Sequence, residues 1–116
     1  MSESHRSQPF DRGHVVWHGG LFNGSARPWL VISDDRHPFN GEEYIVVGLT
    51  TTTRQEAIRV DTDKWAIGGL PKTSYASPWF LTTIKHADID RGVGMLTNDT
   101  VNAIIDQIVE YVGRAQ

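Results

Sequence analysis

The sequence predicts a mainly β fold: a small, strongly bent antiparallel sheet or barrel with one helix packed against it. Three observations carry this. Short runs of β-branched and aromatic residues recur as far as Met95, divided by turns rich in glycine and proline. Only the last segment spaces its apolar residues for a helix. And 116 residues suffice for one core but not for two.

Each element follows in order. Residues 1–12 are polar with a single Phe and read as a flexible tail, leaving 13–113 as the domain. Gly13 to Trp17 is a short first strand, and His18 to Ser25 a glycine-rich loop able to bring backbone close to a ligand. A second strand runs from Pro28 to Ser33, with Arg27 held extended at its mouth because proline restricts the residue before it. Asp34 to Glu43, with Pro38 and Asn40-Gly41, is a loop.

Tyr44 to Thr50 is a third strand, dense in β-branched residues. Alternation puts Ile45, Val47 and Leu49 on a core face and Val46, Gly48 and Thr50 on the other, where Gly48 leaves room beside Thr50 for a ligand. Ala57 to Val60 and Ser77 to Lys85 are the fourth and fifth strands, and Arg91 to Met95 is a short extended piece. The final helix is capped by Thr97 or Asn98, with Asp99 favourable in its first turn. Val101, Ile104, Ile105, Ile108 and Val112 form its apolar stripe, and Gly113 stops it.

Composition narrows the function. The hydrophobic share is 39%, and no run approaches the roughly 20 apolar residues of a membrane span. No charged-then-apolar signal segment opens the chain, so the expected location is cytoplasmic with no membrane partner. The absence of cysteine excludes disulfides, thiolate metal sites and cysteine nucleophiles. A net charge of -3 means that any nucleic acid is bound by a local basic patch. Neither a P-loop nor a nucleophile elbow nor a dinucleotide fingerprint occurs. The histidines lack metal-ligand spacing, so neither metal nor cofactor is expected.

Three places could carry chemistry. Arg27 is a permanently charged planar fork on rigid backbone, suited to a phosphate or carboxylate, or else a solvated strand-entry residue. Thr50-Thr51-Thr52-Thr53-Arg54 offers hydroxyls to a phosphoryl oxygen with a cation beside them, or is simply threonine in a strand. Lys85-His86-Ala87-Asp88 puts a cation, an imidazole and a carboxylate within four residues. On a strand end Asp88 would orient His86 as a base; otherwise the group is a surface turn. Of the tryptophans, Trp17 and Trp29 suit a core or interface, and Trp65 and Trp79, in or beside loop segments, are the better candidates for stacking on bases.

In this order the segments resemble the PemK/MazF family of toxin endoribonucleases. Gly13-His14-Val15-Val16-Trp17 is similar to the family's opening GDVVW strand, and Ala26-Arg27-Pro28-Trp29-Leu30-Val31-Ile32-Ser33 to its RPALVIS strand. Tyr44 to Thr50 resembles its VVVPIT strand, and Ser77 to Asp88 its strand ending in QiRtiD. Met95-Leu96-Thr97 resembles the entry to the family's last helix. Lys85 stands where the family usually has arginine, Thr82-Thr83 where it has an acidic-Gln pair, and the segment from His18 to Ser25 lacks its GsEq stretch.

The resemblance implies an SH3-like barrel of antiparallel strands with a C-terminal helix, assembled as a homodimer. It implies a type II toxin that cleaves single-stranded RNA without metal to a 2′,3′-cyclic phosphate, opposed by a small acidic antitoxin. Arg27 and Thr50 match the family's catalytic pair, with His86 as an added candidate base. His18, Asn23, Ser25, Thr51, Arg54, Lys85 and Asp88 are the candidate RNA-binding residues. The alternatives are a non-catalytic RNA- or protein-binding module of the same fold, or a relative that acts on a protein.

Overall fold

A computed structural model describes residues 8–22 and 25–115, with Asn23 and the expected tail's residues 1–7 outside that range. Seven strands form one antiparallel sheet, curled into a nearly closed barrel, followed by one helix. They are β1 (His14–Phe22), β2 (Ser25–Val31), β3 (Glu43–Thr50), β4 (Ile58–Val60), β5 (Trp65–Gly68), β6 (Ser74–Lys85) and β7 (Arg91–Leu96). The spatial order is β4-β6-β3-β2-β1-β7-β5, and the helix α1 spans Asn98–Val112.

The largest departure from expectation lies in β1. His18 to Phe22, expected as loop, continues the strand, because His18 pairs with Arg27, Gly19 with Ala26 and Phe22 with Ser25. The glycines here act inside a hairpin, with a register irregularity between Gly19 and Phe22. β2 consequently begins at Ser25 and carries Arg27 within a paired strand. β5 was not expected at all. Its four residues pair with β7, and Cβ atoms on Gly68 or Gly94 would run into the facing backbone at Val93 and Ile67.

Both faces of the central strands are buried, so simple alternation mispredicts β3. Val46 is as buried as Val47, while Ile45 is 37% exposed. One cluster joins Val15, Leu30, Val47 and Leu49 to Val101, Ile104 and Ile108 of the helix. The other joins Val16, Trp29, Val31, Tyr44, Val46 and Ile84, with Phe10 and Phe80 packed on it. Alternation requires one wet face, and these strands have none. Each fully buried Val or Leu side chain here contributes roughly 1.5–3 kcal/mol.

Gly48 leaves no ligand space. A Cβ there would lie 2.7 Å from Phe80 Cδ2 and 3.3 Å from Trp29 Cζ3, because Phe80 fills the gap. Phe80 reaches it from a pronounced irregularity in β6, where the pairing jumps from Leu81 opposite Val47 to Ala76 opposite Leu49. Pro78, which cannot donate to a ladder, sits in that interruption.

Residues 8–12 are tied down, not a free tail. The Phe10 N–H donates to the Tyr44 hydroxyl at 3.0 Å, and Arg12 Nε to the Ile32 carbonyl at 2.7 Å. Thr97 caps α1 by accepting from the Thr100 N–H at 3.3 Å, and Gly113 ends it at a positive φ of 52°. The stripe buries Val101, Ile104 and Ile108, but Val112 is 70% exposed because the last turn runs past the sheet. No helix among the described residues is long and apolar enough to cross a membrane.

Candidate active site

The register of β2 against β3 decides where Arg27 lies. Trp29 faces Gly48, Leu30 faces Val47 and Val31 faces Val46. Continued by two residues, that register sets Arg27 opposite Thr50 on the same face of the sheet. Past the last paired residues the strands part, and a cleft of about 300 Å³ opens there. Arg27, Thr50 and Thr51 line it together with Trp17, Pro28 and Lys72. Ala26 and Pro28 alternate with Arg27, so the cleft takes in both sides of β2 where that strand begins.

Aromatic rings hold the guanidinium. Its carbon lies 5.2 Å from the Phe80 ring centroid and 5.9 Å from that of Trp29. Such stacking contributes about 0.5–1 kcal/mol at a partly exposed site and leaves the fork's edge free to donate. Thr50 is fixed as well. Its Oγ1 accepts from the Thr52 N–H at 3.1 Å, which leaves the hydroxyl proton for a ligand.

Two residues that sequence reading passed over complete this end of the sheet. Lys72 adds a second cation from the β5–β6 connection, and its carbonyl accepts from the buried Ser74 hydroxyl at 3.2 Å. Phe80 supports Arg27 through the β6 irregularity. Gly69-Leu70-Pro71 signals a turn at Lys72, but nothing local shows that the turn reaches Arg27.

The other candidates divide. His18 stands directly opposite Arg27 and is 8% exposed. Ser25 opens β2, two residues before Arg27. His86 does not join them: its Nδ1 is 2.7 Å from the Tyr44 hydroxyl, and its ring lies 5.4 Å from that of Phe10. Tyr44 and Thr50 are at opposite ends of β3, roughly 20 Å apart at about 3.3 Å per residue. Lys85 pairs with Glu43 at that far end. His86–Asp88 is a single 3-10 turn, so the alternation that would aim Asp88 at His86 does not apply. Arg54 lines a separate open depression of about 420 Å³ with Glu56, Trp79 and Tyr111. Trp79 lies in β6 and Trp65 opens β5. Among the described residues, no three His, Asp or Glu side chains gather as metal ligands.

The model of the PemK-like, MazF-like toxins of type II toxin–antitoxin systems matches residues 11–112. The chain belongs to that family. Solved structures agree in fold. A mycobacterial endoribonuclease in complex with its cognate antitoxin superposes with a TM-score of 0.73 at 20% identity, covering 95% of this chain and 99% of that one. MazF from a MazE–MazF complex of Deinococcus radiodurans gives 0.71 at 13%, covering 94% and 100%. The Mycobacterium tuberculosis toxin MazF-mt6 gives 0.65 at 25%, covering 87% and 99%. Direct comparison with curated protein sequences finds no significant match. Membership of the PemK-like, MazF-like family thus accounts for the order of strands and the final helix.

Proposed function

We propose that this member of the family is an endoribonuclease toxin that cleaves single-stranded RNA in the Arg27–Thr50 cleft. The observation that carries the reading is the register that sets Arg27 against Thr50 at the cleft. Cleavage proceeds by attack of a ribose 2′-OH on the adjacent phosphorus. The bond from phosphorus to the 5′ oxygen breaks, leaving a 2′,3′-cyclic phosphate and a free 5′ hydroxyl. Arg27 donates to the phosphoryl oxygens as their charge grows, and Thr50 holds a non-bridging oxygen through its hydroxyl proton. A fixed cation and hydroxyl supply this stabilisation without a metal. Lys72 holds a neighbouring phosphate as a mobile point charge. An unpaired strand suits the cleft because its backbone bends freely and its bases are accessible.

The relatives' complexes support a protein partner. The mycobacterial endoribonuclease was solved with its cognate antitoxin, and the Deinococcus MazF with MazE. This chain is proposed to act as a homodimer, restrained by a small acidic antitoxin whose tail orders on binding and masks Arg27.

The test is cleavage of a long unstructured RNA in EDTA, with the new 5′ ends mapped. Discrete cuts are expected from the wild type. Arg27→Ala and Thr50→Val are expected to lower the rate by about 10²–10³-fold each, the typical effect of removing one transition-state donor. Binding without cutting would replace this reading with that of a non-catalytic RNA-binding module.

A further inference from the structure

Cleavage by a 2′-OH needs a group to take the hydroxyl proton, and neither Arg27 nor Thr50 is suited to that. His86 is roughly 20 Å away along β3 by the strand rise of about 3.3 Å per residue. We propose that His18 is the general base of this site, an inference that rests on the endoribonuclease reading above.

Three observations converge on it. His18 is the residue paired with Arg27 across β1 and β2, so both side chains leave the same face side by side. It is 8% exposed, and its Nδ1 is buried with no hydrogen-bond partner among the described residues. Native folds rarely leave such a nitrogen unpaired, and exceptions concentrate where a ligand completes the bond. A second polar atom unpaired among the described residues, Trp29 Nε1, lies on the same face two residue pairs further in. The register irregularity begins just after His18, at Gly19. Turning the imidazole about its Cβ–Cγ bond then presents Nδ1 to the 2′-OH.

The charged groups near the ring divide between the two faces of β1. Arg27 faces His18 from β2. Before β7, a carboxylate oxygen of Asp90 comes within 3.1 Å of where a Cβ on Gly19 would lie, which puts it on the face of β1 opposite His18. Arg91 is stacked over Trp17 at 5.5 Å, on the side of β1 away from His18.

In the step, Nδ1 accepts the 2′-OH proton as the 2′ oxygen bonds to phosphorus. The 5′ oxygen leaves and takes a proton from water, and the imidazolium then gives its proton to the hydroxide so formed. Atoms and charge balance, and no co-reactant beyond water is used.

The experiment compares wild type, His18→Gln and His18→Asn in single-turnover cleavage of RNA from pH 5 to 9, with folding checked by circular dichroism. Affinity is measured on the same RNA carrying 2′-deoxyribose throughout, which cannot react. The expected result is a rate lower by about 10²–10⁴-fold, the usual share of general base catalysis, with affinity within about threefold. The fall of the wild-type rate at acid pH should also disappear in the variants. Variants within tenfold of wild type that keep the acid limb overturn the role of His18 and leave the endoribonuclease reading intact. A rate loss matched by lost affinity or lost fold, with the acid limb unchanged, shows a structural role and also overturns it. A wild type that cuts no RNA ends the reading and this inference together.

Discussion

Arg27 is held by what it stacks on as much as by its strand. Phe80 occupies the space that Gly48 leaves, so Gly48→Ala should push the ring away and loosen the guanidinium. Overpacking of this kind costs about 1–3 kcal/mol. The expected result is a lower urea midpoint together with an RNA cleavage rate that falls further than stability alone explains. Tyr44 governs the opposite end of β3. Its hydroxyl accepts from the Phe10 N–H and meets His86, so Tyr44→Phe should cost about 1–3 kcal/mol by leaving the Phe10 N–H unpaired. Burial raises the Tyr44 ionisation above its ordinary value. Its contribution to stability is therefore present below about pH 10 and lost as pH rises through the raised value. Urea midpoints on either side of pH 10 should fall more steeply in the wild type than in Tyr44→Phe. At this scale the sequence was informative where chemistry is local. The Arg27-Pro28 pair fixes its own geometry, whereas Phe80 and Lys72 reach the cleft only through a strand irregularity and a connection that no short motif encodes.

Among the elements, those with a strong periodic signal were legible. The terminal helix follows from its stripe and its cap, and Thr97→Ala should cost about 1 kcal/mol of stability while leaving RNA cleavage unchanged. Thermal melts and a cleavage assay on the same sample check both halves. The β1–β2 hairpin was misread because glycines at 19 and 20 look like a loop, and only the partner strand makes them part of a sheet. β5 was invisible for a related reason. Trp65 to Gly68 is short and ends in glycine, and it exists because Gly94 of β7 faces Gly68 and lets the backbones close. The parity rule worked only in part for β3, where it paired Thr50 with the face of Gly48 but could not foresee a core on both sides.

For the whole molecule, the net charge of -3 sets a condition on RNA binding. The overall field does not attract a polyanion, so affinity depends on the few cations at the cleft, chiefly Arg27 and Lys72. The logarithm of affinity should fall with the logarithm of salt by about 0.7 per phosphate contact, and Lys72→Ala should flatten that slope by about 0.7. Titrations of a 2′-deoxy oligonucleotide at several salt concentrations measure it. The barrel places the Arg27-Pro28 pair and Thr50 at one cleft, and the account stands on what happens there. Mass spectrometry of the 3′ ends released from RNA in EDTA examines that most directly. The account predicts 2′,3′-cyclic phosphate ends from the wild type and none from Arg27→Ala. Linear 3′-hydroxyl ends, or cyclic ends made equally well without Arg27, would contradict it.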